Sequence, residues 1–168
     1  MSVVHCGGSA TTKITNLTQD GIQPNAVDVR LGKVFRIKNN VFEINANNDK
    51  VHRGVIELTP DNDGYWFLSP GSYEFTAIET VSVGEDEAGV LIGRSTLNRN
   101  DVLIRSCLYD SGYQGAIVGV ITIGTGPIKI EKGTRIAQYV SFKAETLHKY
   151  HGSYGFGTED DAKYGVTK

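Results

Sequence analysis

Apolar and polar residues alternate in short stretches along this chain, and Gly, Asn or Pro separates one stretch from the next about every ten residues. Between positions 27 and 31, three aliphatic side chains alternate with Asp28 and Arg30, which predicts a strand with one buried face. Residues 73–83 alternate in the same way. Further apolar runs predict short strands at 34–37, 55–58, 65–68, 90–92, 102–104, 116–123, 128–130 and 136–142. Many short strands with regular turn signals predict an all-β sandwich or barrel.

Several interruptions of this pattern carry predictions of their own. Gly32 is expected to stop the first strand before it resumes at 34–37. The acidic stretch 84–87 is expected to be a solvated turn rather than a metal site. Residues 95–98 are expected to form a single helical turn, and residues 1–20 a short strand or a mobile arm. No long helical periodicity is present, so no extended helix is predicted.

The apolar pattern ends after Phe142, and the predicted domain ends close to it. We predict one β domain over residues 1–144 and a flexible C-terminal tail over residues 145–168. The tail carries three Tyr and four Gly among many polar residues, and no face that would form a core. Two hypotheses follow for the tail: a disordered terminus, or a segment that becomes ordered over a ligand.

Composition agrees with a β domain rich in glycine turns. The 168 residues include 20 Gly and only 4 Pro, and 39% are hydrophobic, which suits one domain with its own core. The net charge of −2 indicates neither nucleic acid nor an anionic membrane as a partner. Cys6 and Cys107 lack metal-site spacing and are expected to be free thiols. The sequence shows no apolar run of transmembrane length and no signal-peptide pattern, so a cytoplasmic protein is expected.

The stretch 89–119 concentrates residues that suit chemistry on a ligand. Asp110 stands between apolar strand residues and the turn residue Gly112, where a carboxylate can be partly buried and still face a ligand. Arg94 and Ser95 offer a cation, a hydroxyl and turn amides, which together suit an anion. Taken alone, each of these would be compatible with an ordinary turn.

Two further segments follow in order and make the combination specific. Arg135-Ile-Ala-Gln138 lies on the last predicted strand, and Gly155-Phe-Gly157 lies in the tail. Together with the segments around Arg94 and Asp110, this order resembles the trimeric dUTPase and dCTP deaminase superfamily. The resemblance implies a dUTPase-like distorted β-barrel, or jelly-roll sandwich, whose mobile C-terminal tail closes over the active site. It also implies a homotrimer with sites shared between subunits, in which Arg135 is a structural or intersubunit residue.

In the hairpin 107–115, the resemblance implies the catalytic residue and the contacts to base and sugar. Asp110 matches the aspartate that orients and deprotonates the attacking water. Tyr113 matches the tyrosine that packs on deoxyribose and leaves no room for a 2′-hydroxyl. Cys107 stands where many dUTPases have Gly, next to the base, so it is expected to contact substrate. In dUTPases, backbone donors and acceptors of this hairpin hold the uracil.

The resemblance also implies phosphate contacts outside the hairpin. Where dUTPases usually have Pro-Arg-Ser-Gly, this chain has Gly-Arg-Ser-Thr, so Arg94, Ser95 and Thr96 are expected to bind substrate phosphate. Gln138 is expected to hydrogen-bond a phosphate oxygen. Asp28 matches the aspartate of the first family motif, which supports the phosphates and Mg²⁺ indirectly, via water or phosphate. In isolation, Asp28 would be a structural hydrogen-bond acceptor.

The tail carries the last set of expected substrate contacts. It has His-Gly-Ser-Tyr-Gly-Phe-Gly-Thr where the family pattern is Arg-Gly-x-Gly-Gly-Phe-Gly-Ser. The resemblance implies that Phe156 stacks on the base and that Gly157 and Thr158 approach the phosphates. His151 replaces the usual arginine and would assist as a cation only when it is protonated.

These correspondences imply a dUTP diphosphatase, which converts dUTP and water to dUMP and pyrophosphate with Mg²⁺ held by the three phosphates. The first alternative is a dCTP deaminase, which needs a glutamate on the strand after the hairpin. Val120 occupies that position and cannot move protons, although residues 160–164 resemble the C-terminus of the deaminases. Two further alternatives are a related nucleotide pyrophosphohydrolase with another base preference and a nucleotide-binding module without catalysis.

Overall fold

The computed structural model describes residues 2–165 and consists mainly of antiparallel β-strands. The strands are β1 (Val3–Val4), β2 (Lys13–Ile14), β3 (Val27–Ile37), β4 (Glu43–Ile44), β5 (Lys50–Val51), β6 (Val55–Leu58), β7 (Tyr65–Leu68), β8 (Gly71–Ser82), β9 (Glu87–Gly93), β10 (Val102–Arg105), β11 (Gln114–Ile123), β12 (Ile128–Glu131) and β13 (Arg135–Lys143). The helical segments are a 3-10 turn at Gln19–Gly21, α1 at Ser95–Asn98 and α2 at Glu159–Ala162. The predicted all-β fold is confirmed, and so is the helical turn at 95–98.

Nine of the strands form one curled sheet that surrounds the core. Their order is β1-β13-β3-β8-β11-β10, while β2 pairs with β8, β6 with β3 and β9 with β13. β12 and β7 form a separate pair, as do β4 and β5. The core contains Val29, Phe75, Ile117, Ile121 and Tyr139, all with essentially no exposed surface. None of the helices within residues 2–165 has the length and apolar character needed to cross a membrane.

Strand β3 is shared by the two halves of the curled sheet. Residues 27–30 pair with β13, and residues 31–36 pair with β8, with a register shift between Leu31 and Lys33. Gly32 lies at this shift, and a Cβ there would come within 3.0 Å of the Ala77 backbone. A side chain at this position would require the two strands to separate by a few tenths of an ångström. The prediction that Gly32 stops the strand is therefore wrong, because Gly32 lets one long strand change partners.

A buried carboxylate holds the N-terminal arm against the sheet. Glu87, the first residue of β9, has no exposed surface. Its carboxylate accepts hydrogen bonds from the amides of Thr11 at 2.9 Å and Thr12 at 2.8 Å. The Thr12 hydroxyl donates to it at 2.7 Å, and Lys143 Nζ donates at 2.9 Å. The prediction of a solvated turn at 84–87 is therefore wrong for Glu87.

The pKa of Glu87 follows from two opposing effects. Burial opposes ionisation of the carboxyl, but the hydrogen bonds from Thr11, Thr12 and Lys143 outweigh it. Together they lower the pKa of Glu87 from 4.5 to about 2. The folded protein therefore holds the ionised form of this side chain more strongly than the unfolded chain does.

Replacing Glu87 by glutamine should destabilise the protein and remove part of its pH dependence. Loss of the buried charge-assisted network should lower the free energy of unfolding by about 3 kcal/mol at neutral pH. Because the folded-state pKa lies below the unfolded-state value, the carboxylate stabilises the fold above pH 4.5. This contribution is lost as the pH falls from 4.5 towards 2. Urea unfolding of wild type and Glu87→Gln should therefore converge over that range.

Glu85→Gln is the matched control for this measurement. Its carboxylate forms an exposed ion pair with Lys149 at 2.8 Å, so its loss should leave stability nearly unchanged. Equal destabilisation by the two substitutions would contradict the anchoring role of Glu87.

Candidate functional site

A tight turn between β10 and β11 carries Asp110 on its outer side. The amide of Tyr113 donates to the Asp110 carbonyl at 3.0 Å. Gly112 has a φ of +83°, the left-handed conformation that this turn requires. The rings of Tyr109 and Tyr113 are buried, whereas Asp110 is exposed. Asp110 lines two neighbouring cavities, a first of about 450 Å³ and a second of about 490 Å³.

The two tyrosines fix the wall behind Asp110. The Tyr109 hydroxyl donates to the Val118 carbonyl at 2.8 Å and accepts from the Val118 amide at 3.1 Å. These two hydrogen bonds lie where the pairing of β11 with β8 shifts register. The Tyr113 hydroxyl donates to the Ala116 carbonyl at 2.9 Å. Burial raises the pKa of both phenols well above the ordinary value, so both stay protonated.

Three adjacent strands present one row of side chains to the first cavity. Glu74 on β8 lies opposite Val120 on β11, and Arg105 on β10 lies on the other side of Val120. Directly opposed residues of antiparallel strands project from the same face of a sheet. All three residues line the first cavity. The wall of this cavity therefore contains a carboxylate and a guanidinium on either side of an aliphatic residue.

The C-terminal segment 150–165 packs against this wall through Tyr164. The Tyr164 ring is buried and packs edge-on against Phe35, with a centroid distance of 5.6 Å. Its hydroxyl donates to Glu74 Oε1 at 3.0 Å, and Lys163 Nζ lies 3.7 Å from the same oxygen. Tyr164 gives this segment a core contact that the sequence prediction did not identify.

Hydrogen bonds to β11 and within the segment order the rest of it. The Ala116 amide donates to Asp161 Oδ2 at 3.2 Å, and burial raises the pKa of this carboxyl. The Thr158 hydroxyl caps α2 by accepting from the Asp161 amide at 3.3 Å. The Phe156 amide donates to the Gln114 carbonyl at 2.8 Å. These contacts attach the segment to the start of β11.

The loop around β4 and β5 forms the outer rim of the first cavity. His52 lines the cavity, and its ring lies 6.3 Å from that of Tyr154, in an edge-on arrangement. Lys50 Nζ lies 5.1 Å from the centre of the same Tyr154 ring. The rim therefore touches the C-terminal segment at one aromatic residue.

A second group of predicted residues surrounds the buried carboxylate of Asp28. Arg135 Nη1 lies 3.3 Å from Asp28 Oδ2, and Arg94 Nε lies 3.9 Å from Asp28 Oδ1. Gln138 is directly opposite Asp28 in the pairing of β13 with β3. Within residues 2–165, neither oxygen of Asp28 has a hydrogen-bond partner. Each arginine side chain is about one-third exposed, and Arg135 Nη1 also lies 3.7 Å from the largely exposed carboxylate of Asp20.

The two groups lie apart along β9. Gly89 bridges to Tyr109, next to Asp110, while Arg94 follows the last residue of β9. The five residue steps from 89 to 94 span roughly 16 Å of strand. Arg94 and Gln138 line neither the first nor the second cavity. Within one chain, the predicted residues therefore form two separate groups. One consists of the hairpin and the C-terminal segment, and the other surrounds Asp28.

The other predicted site residues fall into three places. Cys107 lines the first cavity with Asp110 and Tyr113, and His151 lines the second. Ser95 and Thr96 are exposed in α1, beside Arg94. Phe156, Gly157 and Thr158 lie in the turn before α2, where Gly157 has a φ of +85°. Phe156 and Thr158 hold the segment in place and line neither cavity.

Side chains within residues 2–165 do not fit a metal ion held by protein alone. No cluster of three or more His, Cys, Asp or Glu side chains occurs in this part of the chain. The oxygens of Asp28 face two guanidinium groups, which disfavour a further cation there. A divalent ion near Asp28 would need ligands from the substrate or from water.

Sequence reasoning missed several residues that line the first cavity. Among them are His52, Glu74, Arg105 and Lys163. Lys163 lies in the segment that resembled the deaminase C-terminus, so a signal for it was present. Glu74 lies in the predicted alternating strand 73–83 and Arg105 directly follows the predicted strand 102–104, and only strand register brings them together.

Known proteins resemble this chain over most of its length. Residues 5–144 match the protein family described as dCTP deaminase-like. A probable deoxyuridine 5′-triphosphate nucleotidohydrolase of Methanopyrus kandleri is 29% identical over 149 residues, 83% of this chain and 91% of that protein. A dUMP-forming dCTP deaminase of a Parafrankia species is 31% identical over 152 residues, 87% of this chain and 76% of that protein.

Two solved structures share the fold. The dCTP deaminase of Agrobacterium tumefaciens superposes with a TM-score of 0.61 at 21% identity, covering 82% of this chain. This chain spans only 45% of that deaminase chain. A mutant dUTPase of Staphylococcus bacteriophage 80alpha, solved with dUpNHpp, superposes with a TM-score of 0.51 at 16% identity. It covers 86% of this chain and 97% of its own length. The predicted dUTPase-like fold is confirmed.

Replacing Tyr164 by alanine should release the C-terminal segment without unfolding the sheet. The substitution removes a buried ring and its hydrogen bond to Glu74. Loss of a large buried side chain costs a few kcal/mol, so amide hydrogen exchange in residues 155–165 should accelerate by at least about tenfold. Exchange in β8 and β11, followed by mass spectrometry, should stay slow.

Tyr154→Ala is the control, because it removes an exposed ring from the same segment. It should leave exchange in residues 155–165 close to that of wild type. Fast exchange of this segment already in the wild-type protein, without nucleotide, would contradict docking through Tyr164.

Proposed function

This chain belongs to the dCTP deaminase-like family, and from that premise we propose that it hydrolyses dUTP to dUMP and pyrophosphate. The observation that carries the proposal is the position of Asp110, an exposed carboxylate on a rigid hairpin beside a cavity of about 450 Å³. The relatives named as probable dUTP nucleotidohydrolases support the same reaction class.

In the proposed mechanism, Asp110 is the general base. A water molecule next to its carboxylate attacks the α-phosphorus, a new oxygen–phosphorus bond forms, and the bond to the bridging oxygen of the β-phosphate breaks. The water proton passes to Asp110, and pyrophosphate leaves with the bonding electron pair. Asp110 suits this task because it is the only carboxylate in the hairpin 107–115 and is accessible from both cavities.

Base and sugar are proposed to bind in the first cavity. The buried ring of Tyr113 forms its floor, and hydrogen bonding of the Tyr113 hydroxyl to Ala116 holds this ring in place. A fixed ring at this point would exclude a 2′-hydroxyl by contact. Cys107 lies in the same lining and would contact the base.

The triphosphate is proposed to bind to the Asp28 group of a neighbouring subunit. Arg94, Ser95 and Gln138 have the chemistry for phosphate, but they lie roughly 16 Å along the strand from the turn that carries Asp110. A homotrimer would bring the phosphate group of one chain to the hairpin of the next. In this proposal Mg²⁺ is carried by the substrate phosphates, where it neutralises charge, and Asp28 contacts it only through water or phosphate.

Deamination of dCTP is the second candidate. The name of the Parafrankia relative and the resemblance of residues 160–164 to deaminases favour it. The aliphatic side chain of Val120 opposes it, because valine cannot transfer the protons that deamination requires.

The reaction is tested with a panel of nucleotides and the variant Asp110→Asn. The wild-type protein with Mg²⁺ should cleave dUTP to dUMP and pyrophosphate much faster than it cleaves dCTP, dTTP or UTP. Asp110→Asn keeps size and polarity but removes the base, so kcat should fall by about 10²–10⁴-fold, while dUTP binding is largely kept. Ammonia release from dCTP at a comparable rate, or wild-type turnover by the variant, would overturn the proposal.

Shared sites are tested by mixing two inactive variants. Asp110→Asn and Arg94→Ala damage different halves of each proposed site, so chains refolded together should form some sites from two intact halves. Random mixing in a trimer would restore about one quarter of wild-type activity. Light scattering should give the mass of three chains of 18.3 kDa. No recovery of activity, or turnover by a monomer, would refute sharing.

A further inference from the structure

The wall of the first cavity places a hydrogen-bond acceptor and a hydrogen-bond donor on either side of an aliphatic residue. Val120 offers a base no hydrogen bond, but Glu74 stands on one neighbouring strand and Arg105 on the other, both in register with it. Opposed Cβ atoms in such a ladder lie about 5 Å apart. The two charged side chains therefore flank the space in front of Val120, and Arg105 Nη2 also donates to Ser72 Oγ on the same face at 3.3 Å.

Backbone groups on this wall are already occupied. Both the amide and the carbonyl of Val118 bond to the Tyr109 hydroxyl, and the Ala116 carbonyl bonds to the Tyr113 hydroxyl. The Ala116 amide donates to Asp161. A base that enters this side of the cavity thus meets polar side chains instead of free backbone groups.

The C-terminal segment fixes the direction of the Glu74 carboxylate. Tyr164 and Lys163 both approach Oε1, at 3.0 Å and 3.7 Å. Within residues 2–165, Oε2 has no hydrogen-bond partner, and the Glu74 side chain is 19% exposed. One oxygen therefore holds the segment, and the other is free to accept from a ligand in the cavity.

We propose that Glu74 and Arg105 are specificity-determining residues that read the pyrimidine edge of the nucleotide. Uracil presents an N3–H donor beside an O4 acceptor, and this pair matches the Glu74 carboxylate beside the Arg105 guanidinium. Cytosine presents an N3 acceptor beside an amino donor, so the same pair meets two mismatches. The inference rests on the proposed function for the location of the base.

The test compares binding of dUpNHpp and dCpNHpp, which are not hydrolysed, by calorimetry with wild type, Glu74→Gln and Tyr164→Phe. Glutamine keeps the size of Glu74 but can donate to the N3 of cytosine, so the affinity ratio of dUpNHpp to dCpNHpp should fall by about tenfold or more. Tyr164→Phe removes the hydrogen bond to the same carboxylate but keeps its charge. It should weaken both ligands equally and leave the ratio unchanged.

A ratio that is unchanged in Glu74→Gln overturns the inference. So does an equal change of ratio in Tyr164→Phe, because Glu74 would then act only as an anchor of the C-terminal segment. Should Glu74→Gln fail to fold, Arg105→Gln on the exposed side of β10 provides the same test, and an unchanged ratio there also overturns the inference.

The outcome is separable from that of the proposed function. A protein that hydrolyses dUTP but keeps its affinity ratio in both variants loses only the assignment of Glu74 and Arg105. If the protein hydrolyses no dUTP but its variants show the altered affinity ratio, the assignment of Glu74 and Arg105 stands and the proposed reaction is refuted. Binding of neither analogue by the wild-type protein overturns the inference.

Discussion

The change of partner along β3, from β13 to β8, is the constraint on which the rest of the structure depends. Its first residues complete the ladder with β13, its later residues complete the ladder with β8, and Gly32 allows the change by lying against the Ala77 backbone. Asp28 stands on the first part of this strand and Phe35 on the second. The Asp28 group therefore lies on one half of the curled sheet, and the first cavity, which Tyr164 helps to cover, lies on the other. The separation of the two groups follows from the path of one strand.

The same separation explains why the C-terminal segment matters. A cavity on the face of a sheet is open on one side, and the hairpin with Asp110 covers only part of it. Tyr164 inserts between Phe35 and β11 and carries Lys163 and Asp161 to the remaining side. The segment is held by one buried ring and a few hydrogen bonds, so its docking free energy is smaller than that of the sheet. In the proposed function, such a segment would shape the site and open for exchange of ligand.

Local pattern predicted those parts of the molecule that local chemistry decides. Period-two alternation located the long strands, and Asp110 followed from the turn chemistry around Gly112. The place of Glu74 in the cavity wall could not be predicted, because it depends on register with Val120, which lies 46 positions further along the chain. Glu87 was read as solvated because no local feature signals that Thr11 and Thr12 will cover it. Long-range pairing decided each of these cases.

The charges around Asp28 suggest why a buried and incompletely bonded carboxylate is kept. Burying an ion costs several kcal/mol unless its neighbours compensate, and here two guanidinium groups lie within 3.9 Å. Asp20, whose side chain is largely exposed, adds a second carboxylate 3.7 Å from Arg135 Nη1, so two cations face one buried and one exposed anion. Asp28 makes no hydrogen bond to either arginine within the described part of the chain, while Arg135 Nη1 donates to the Asp20 carbonyl at 2.7 Å. In the proposed function, an anion with several oxygens would accept from the remaining guanidinium donors, and a polyphosphate supplies more such oxygens than a single carboxylate does.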